Sequence, residues 1–371
     1  RAAHYASFPV KLDVAEWRPD RLLDEAEVLF GAFRILSGDE PSDVVVGTNL
    51  LDSLGDLLAP RALGRRCVVV ADANTAPLYA GRVAQALRTA GFTVSETTIP
   101  AGETEKTLST VASIWRAFLA AGLARDDFAV AVGGGVTGDL TGFAAATYQR
   151  GIAFFQIPTT LLAAVDSSVG GKTAINLPEG KNQVGAFYQP MAVFCDPDTL
   201  GTLPDEEYRG GCAEVIKYAV LGDAEFFDFL EAENIRDNEE AVIAHCVKMK
   251  RDIVQADEFD KGKRKLLNLG HTIGHAVEKL SGFEISHGDA VAIGMAAVVR
   301  KCDDAERVIA LLKKYGLPTS CPYGAEEIIS ACMADKKIEH GKLQLIVPER
   351  IGLCNIVPTE IIELKSWLEN D

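Results

Sequence analysis

Histidine and positive charge are scarce in this chain. Six histidines occur in 371 residues, and 37 lysines and arginines stand against 53 aspartates and glutamates, a formal net charge of −16 at pH 7. So acidic a chain lacks the basic footprint that nucleic acid or an anionic membrane surface requires. A small anionic substrate is not excluded, because a site can be locally cationic on an acidic surface. No apolar run approaches the roughly 20 residues of a membrane-spanning helix. The eight cysteines include no C-x-x-C pair and read as reduced core residues of a cytoplasmic protein. Apolar content of 48% and charged content of 24% are ordinary for a globular chain, and the length suggests two domains.

What is present is concentrated between Val130 and Pro190. Val130-Ala131-Val132 runs into Gly133-Gly134-Gly135-Val136-Thr137-Gly138-Asp139 and restarts as Leu140-Thr141-Gly142-Phe143-Ala144-Ala145. An apolar run, a glycine turn and a second apolar run read as strand, turn and helix. Glycines let backbone approach an anion, and a helix N-terminus offers free N–H groups. The run fits G-x-G-x-x-G. Ile157-Pro158-Thr159-Thr160, Asp166, Gly170-Gly171-Lys172-Thr173 and Gly180-Lys181-Asn182 follow. A structural core has no need of such interleaved glycines, hydroxyls and lysines.

Strand and helix patterns alternate from Val44. Val44–Val46, Cys67–Asp72 and Val94–Ile99 read as strands, with helices over Leu50–Leu58, Ala76–Ala90 and Leu108–Ala121. This implies a mostly parallel sheet covered on both faces. Beyond Asp196 the strand signal fades. Helical patterns cover Glu206–Val220, Glu225–Glu233, Asn238–Ala256, Lys265–Ser281, Ala290–Lys301, Asp303–Tyr315 and Ala325–Ala334, with one late strand at Lys342–Val347. The expected division is a Rossmann-like α/β domain over residues 38–195 and a mainly helical domain over 196–371, with a site in the cleft between them. Asp72, at the end of its strand, and nearby Asn74 suit a ribose hydroxyl pair. The acid usually found about twenty residues after the glycines is missing, which argues against a standard dinucleotide fold. His271 and His275 stand at i, i+4, and His287 follows. Spacing alone would make His271 and His275 the metal-ligand pair.

The segments GGGVTGD, ATYQRG (146–151), PTT, GGKTAIN (170–176), GKN and GCAEVIKY (211–218) together resemble the sugar-phosphate cyclases, and within them the dehydroquinate synthases. The likeness runs from about Val44 to about Leu364. It implies a dehydroquinate synthase-like α/β fold with a helical C-terminal half. It implies Zn²⁺, with Co²⁺ as a possible substitute, on Glu214, His271 and His287, which leaves His275 for proton transfer. It carries NAD⁺ binding onto Asp72, Asn74, Glu103, Lys106, Gly134, Gly135, Asp139, Thr159, Thr160, Lys181 and Thr202. It lines a substrate pocket with Lys172, Asn182, Lys217, Lys250, Arg264, Asn268 and Lys336, with Asp166 beside them. Arg150 matches an arginine that reaches the phosphate site of a neighbouring subunit, which implies a homodimer.

The implied reaction converts 3-deoxy-D-arabino-heptulosonate 7-phosphate, an anionic sugar acid phosphate, into 3-dehydroquinate and phosphate in the shikimate pathway. NAD⁺ is reduced and reoxidised within the cycle. Alternatives are a related cyclase of the 2-epi-5-epi-valiolone synthase type and an NAD- and metal-dependent polyol dehydrogenase. Residues 1–37 fall outside the cyclase pattern. Arg1-x-x-x-Tyr5, the alternating Val10–Val14 and a helix-like Pro19–Phe33 resemble the C-terminal tail of shikimate kinase, which implies a kinase domain upstream. The other reading is an extension packed on the cyclase. Ser37–Ser42 looks like a linker.

Overall fold

The computed structural model describes Glu27 and residues 31–36, 41–333 and 342–368. The first half is built from β1 (Ala32–Ile35), β2 (Ser42–Val46), α1 (Leu50–Leu58), β3 (Arg66–Asp72), α2 (Gly81–Thr89), β4 (Thr93–Ile99), α3 (Leu108–Ala120), β5 (Phe128–Gly133), α4 (Gly135–Thr147), β6 (Ala153–Pro158), the hairpin β7 (Lys172–Leu177) and β8 (Gly180–Phe187), and β9 (Ala192–Cys195). Seven strands form one sheet in the order β1-β2-β9-β6-β5-β3-β4. All neighbours run parallel except β1, which lies antiparallel on β2 at the edge. Every residue of β5 is buried, as a strand covered on both faces must be. Period-two alternation sorts the side chains. Val69, Val130 and Phe155 pack under Leu51, Leu54 and Val83 of α1 and α2. Val68, Val70 and Phe154 pack under Ile114, Phe118 and Leu140 of α3 and α4.

The second half contains α5 (Asp205–Gly222), α6 (Ala224–Ala232), α7 (Glu239–Ala256), α8 (His271–Leu280), α9 (His287–Val298), α10 (Ala305–Lys314), α11 (Ala325–Met333), the hairpin β10 (Lys342–Arg350) and β11 (Leu353–Glu360), and the short α12 (Lys365–Leu368). From Gly210 to Leu221 every residue of α5 is buried, so this helix is the axis on which the others pack. The two halves share apolar packing: Val44, Val46, Val193 and Cys195 of the sheet belong to the same cluster as Ile216, Val247 and Val291 of α5, α7 and α9. Among the described residues no helix is long and apolar enough to cross a membrane.

Four expectations are corrected. The helix after the glycine turn starts at Gly135 rather than Leu140. Gly133 is required there, since a Cβ would lie 2.6 Å from Thr137 Oγ1 and 2.8 Å from Asp72 Oδ2. The single helix expected over Lys265–Ser281 is a 3₁₀ turn, Lys263–Asn268, followed by α8. The break falls at Gly270, whose φ of +77° is left-handed, a conformation glycine adopts without strain. Lys342–Val347 is one arm of a hairpin, because β11 returns along it. Ala32 and Phe33, expected at the end of a helix, instead pair with β2 as part of the strand Ala32–Ile35. Of that helix-like run, Glu27 is helical. Arg1, Tyr5, Val10–Val14 and Lys336 lie outside the described residues.

Helix α9 meets the start of α8 and the middle of α5 through glycines. A methyl group on Gly294 would lie 1.9 Å from the Gly270 carbonyl oxygen, and one on Gly288 would lie 2.3 Å from Gly210 Cα. Neither neighbour can move aside, because both are backbone. Gly294→Ala should therefore lower unfolding free energy in urea by about 1–3 kcal/mol. Gly201→Ala, where nothing lies within 4 Å, should change it by less than about 0.5 kcal/mol. Equal stability of the two variants would contradict this packing.

Candidate active site

Glu214, His271 and His287 converge from α5, α8 and α9, with their ligand atoms within 4.8 Å of one another. Glu214 is fully buried. Among the described residues its Oε1 accepts no hydrogen bond, and the Nε2 atoms of His271 and His287 stand 3.5 and 3.4 Å from it. Tetrahedral ligands about 2.0–2.1 Å from a cation lie about 3.4 Å apart, so this donor set fits a divalent metal ion. Each ring is held from behind. His271 Nδ1 donates to the Leu269 carbonyl at 3.0 Å, and His287 Nδ1 donates to Glu278 Oε2 at 3.3 Å. Burial brings His271 down to about 4 and leaves it neutral, the form that ligates. Burial opposes charge on His287 too, but Glu214 and Glu278 lift it to about 9. His275 lies one turn further along α8, 5.4 Å ring to ring from His271 and 5.9 Å from His287. Its ring groups instead with Glu278 and His287. The pairing of His271 with His275 that spacing suggested is therefore not the one Glu214 completes.

A buried charge cluster adjoins this centre and crosses between the halves. Asp166 comes from the turn after β6. Its Oδ1 accepts from Tyr218 Oη at 2.5 Å, with Lys250 Nζ at 2.9 Å and Lys217 Nζ at 3.7 Å. Lys250 also donates to the Asp166 carbonyl at 2.6 Å. Lys217 Nζ lies 2.5 Å from Glu214 Oε2. Burial pushes Asp166 upward, yet Lys217 and Lys250 hold it well below the usual carboxylate range. The two lysines diverge. Lys217, buried but set between two carboxylates, is raised. Lys250, buried with one carboxylate and with Arg264 nearby, falls to about 8.

The residues expected to hold the nucleotide gather at the carboxyl ends of β3 and β5, with the hairpin over them. Asp72 Oδ1 accepts from the Asn74 and Thr75 amides at 2.9 and 3.1 Å, and Oδ2 accepts from Thr137 Oγ1 at 2.8 Å. Asn74 itself is exposed. Thr202 reaches this edge through a 2.5 Å contact with Tyr79 Oη. Gly134 caps α4 without a side-chain bond. The buried hydroxyls of Thr159 and Ser167 have no partner among the described residues, while Thr160 Oγ1 accepts from the Ala163 amide. Free amides at a helix start beside unsatisfied hydroxyls fit an anion such as a dinucleotide's phosphates. The Glu103–Lys106 turn, which alone reads as solvated, is locked to the hairpin. Lys106 is buried and lies 2.5 Å from both Asp139 Oδ2 and Asn182 Oδ1, and Asn176 Nδ2 donates to Glu103 Oε1 at 2.9 Å.

The remaining substrate residues have particular partners. Arg264 is 1% exposed. Its terminal nitrogens donate to the Glu258 and Gly170 carbonyls at 2.5 and 2.8 Å, and Nε has no partner among the described residues. Two-pronged grip of a carboxylate would require exchange of those carbonyls. Lys172 pairs with Asp260 at 2.5 Å. Asn268 donates to the Lys265 carbonyl at 3.0 Å. Arg150 is exposed with φ +71°. It lies past the far end of α4, about 20 Å from the glycine turn at 1.5 Å per residue, and is not brought to this chain's own site. Sequence reasoning overlooked Tyr218, Asp260 and Glu278. Tyr218 and Glu278 left a faint signal, falling four residues after Glu214 and seven after His271 on the same helix faces; Asp260 left none.

A parallel α/β sheet joined to a helical half that carries a carboxylate–bis-histidine centre defines a class: the fold of the sugar-phosphate cyclases. A 2-deoxy-scyllo-inosose synthase, solved with carbaglucose-6-phosphate, NAD⁺ and Co²⁺, matches with a TM-score of 0.82 and 27% identity over 91% of this chain and 99% of that one. The 2-epi-5-epi-valiolone synthase of Streptomyces hygroscopicus, with NAD⁺ and Zn²⁺ bound, matches with a TM-score of 0.80 and 29% identity over 88% and 95%. Glycerol dehydrogenase of Schizosaccharomyces pombe, 18% identical with a TM-score of 0.60 over 87% and 89%, shares the fold. Family models for the 3-dehydroquinate synthase N-terminal and C-terminal parts match residues 96–210 and 211–338. The 3-dehydroquinate synthases of Desulforamulus reducens and Caulobacter vibrioides are 44% and 46% identical, covering 88% and 85% of this chain and 96% and 91% of their own lengths. The chain belongs to the 3-dehydroquinate synthase family, and its activity is that of the family, a step of the shikimate pathway.

The buried cluster makes a prediction about Lys250. With lysine side chains ¹³C-labelled at Cε, one resonance should titrate near pH 8 and disappear in Lys250→Arg. The unfolded chain keeps this proton up to the ordinary lysine value of 10.5. Between about pH 8 and that value the unfolded state binds more protons, so this group makes stability rise with pH. Titration of every lysine above pH 10 would contradict the cluster.

Proposed function

We propose that the enzyme converts 3-deoxy-D-arabino-heptulosonate 7-phosphate into 3-dehydroquinate and phosphate, with Zn²⁺ or Co²⁺ at Glu214, His271 and His287 and with NAD⁺ along the carboxyl edge of the sheet. The observation that carries this reading is Glu214 Oε1: wholly buried, accepting no hydrogen bond among the described residues, and faced by two imidazole nitrogens. The NAD⁺ with Zn²⁺ or Co²⁺ in the two related synthase structures supports the same pair of cofactors. A bound cation would acidify substrate hydroxyls, and a bound nicotinamide would accept a hydride and give it back.

The protein's own contribution is charge and order. Lys172, Lys250 and Arg264, with Lys336, supply the cations for an acid phosphate on an otherwise acidic chain. Lys217 and Lys250 together offset the charges of Glu214 and Asp166, so neither carboxylate repels that substrate. Asn182 and Asn268 add amide donors. His275, facing the centre outside the Glu214 ligand set, is placed to move a proton. Burial of the cluster excludes water and fixes its charges before substrate arrives. The division into domains at residues 195 and 196 follows the end of β9. Arg150, exposed and remote from its own site, supports a homodimer in which it serves the other subunit. Eight cysteines without a disulfide support a cytoplasmic location.

The valiolone-type reading is tested by the substrate carboxylate. A site built around Lys250, Arg264 and Asn268 loses about 2–5 kcal/mol when a buried charge goes unpaired. We expect kcat/KM for the heptulosonate to exceed that for sedoheptulose 7-phosphate by about two orders of magnitude or more, with stoichiometric phosphate release and no net absorbance change at 340 nm. Arg264→Ala should narrow the preference. Equal turnover of sedoheptulose 7-phosphate would move the chain to the valiolone-type cyclases, and accumulation of NADH would move it to the polyol dehydrogenases.

A further inference from the structure

The two histidines facing Glu214 are oriented by different means. His271 Nδ1 is held by main chain, the Leu269 carbonyl two residues away. His287 opens α9, and its Nδ1 meets a side chain, Glu278 Oε2 at 3.3 Å. The other oxygen of Glu278 accepts from Lys181 Nζ at 2.7 Å. Glu278 is 5% exposed as a side chain and Lys181 is 28% exposed. Lys181 sits at the tip of the β7–β8 hairpin and also lies 3.6 Å from Glu103 Oε1. That hairpin tip is fastened to the sheet half, since Asn176 N donates to the Lys106 carbonyl and Lys106 Nζ donates to Asn182. One carboxylate thus stands between an imidazole of the helical half and a cation carried by the sheet half.

We propose that Glu278 is a positioning residue that orients His287 as a metal ligand, and that Lys181 makes this orientation depend on the docked hairpin. The inference rests on the metal reading above. A carboxylate behind a ligating imidazole fixes its tautomer and ring angle, and its loss typically costs 10–100-fold in metal affinity. Lys181 holds that carboxylate in place. Without Lys181, Glu278 can turn away from His287 toward water, and the imidazole loses its anchor.

The test is a titration of metal-free protein with Co²⁺, without nucleotide or substrate, followed by the cobalt d–d absorption. Glu278→Gln, which keeps the side-chain volume, should weaken Co²⁺ binding about 10–100-fold and alter the d–d band shape. It should also shift the His287 ring ¹⁵N resonances. Lys181→Met, at a partly exposed position where folding is not at stake, should weaken binding several-fold. The double variant should bind no worse than Glu278→Gln alone, because both act through one link. Binding within twofold of the unmodified protein in either single variant overturns the proposal, as do additive effects in the double variant. If Glu214→Gln leaves Co²⁺ affinity unchanged, the metal reading itself fails and the proposal falls with it.

Discussion

A carboxylate buried on a helix that is itself buried on all sides sets the terms for the rest of this molecule. Unpaired, the charge of Glu214 would cost several kcal/mol. The structure answers it with Lys217 one turn along α5 and with two imidazoles carried in by α8 and α9. Those imidazoles arrive only if three helices approach at backbone distance. This explains why Gly270, Gly288 and Gly294 occupy the contacts where any side chain would meet main chain. Tight helix packing and the metal centre are thus one feature.

The same charge logic joins the halves. Asp166, from the sheet half, shares Lys217 and captures Lys250 and Tyr218. Arg264 reaches across to the Gly170 carbonyl, beside the strand that carries Lys172. The site is consequently built from contacts within the chain itself. Its lysines are held at fixed points by carboxylates, and burial, with Arg264 and Lys217 nearby, depresses Lys250. An acidic protein with a cationic interior cleft reconciles a net charge of −16 with an anionic substrate.

Much of this was legible in the sequence, for identifiable reasons. Buried parallel strands such as Cys67–Asp72 announce themselves as unbroken apolar runs, and α5, α7 and α10 carry clear helical spacing. The hairpin β7–β8 did not read as strand, because its glycines and lysines serve the site and leave β8 largely exposed. The break at Gly270 was invisible, since a lone glycine is tolerated in a helical pattern and only the left-handed φ requires it. Local spacing favoured His275 over His287 as the partner of His271. That choice fails because helix periodicity cannot see a carboxylate arriving from another helix. Glu278 was missed likewise: it reads as one more acid on an amphipathic face, and its meaning comes from Lys181, 97 residues away.

The most direct test of this account is anomalous scattering at the zinc edge from crystals of the zinc-loaded protein. The account predicts one strong peak about 2.0–2.2 Å from a Glu214 carboxylate oxygen and the Nε2 atoms of His271 and His287, with His275 outside the coordination sphere. A peak coordinated instead by His275, Glu278 and His287, or no ordered peak beside Glu214, would contradict it.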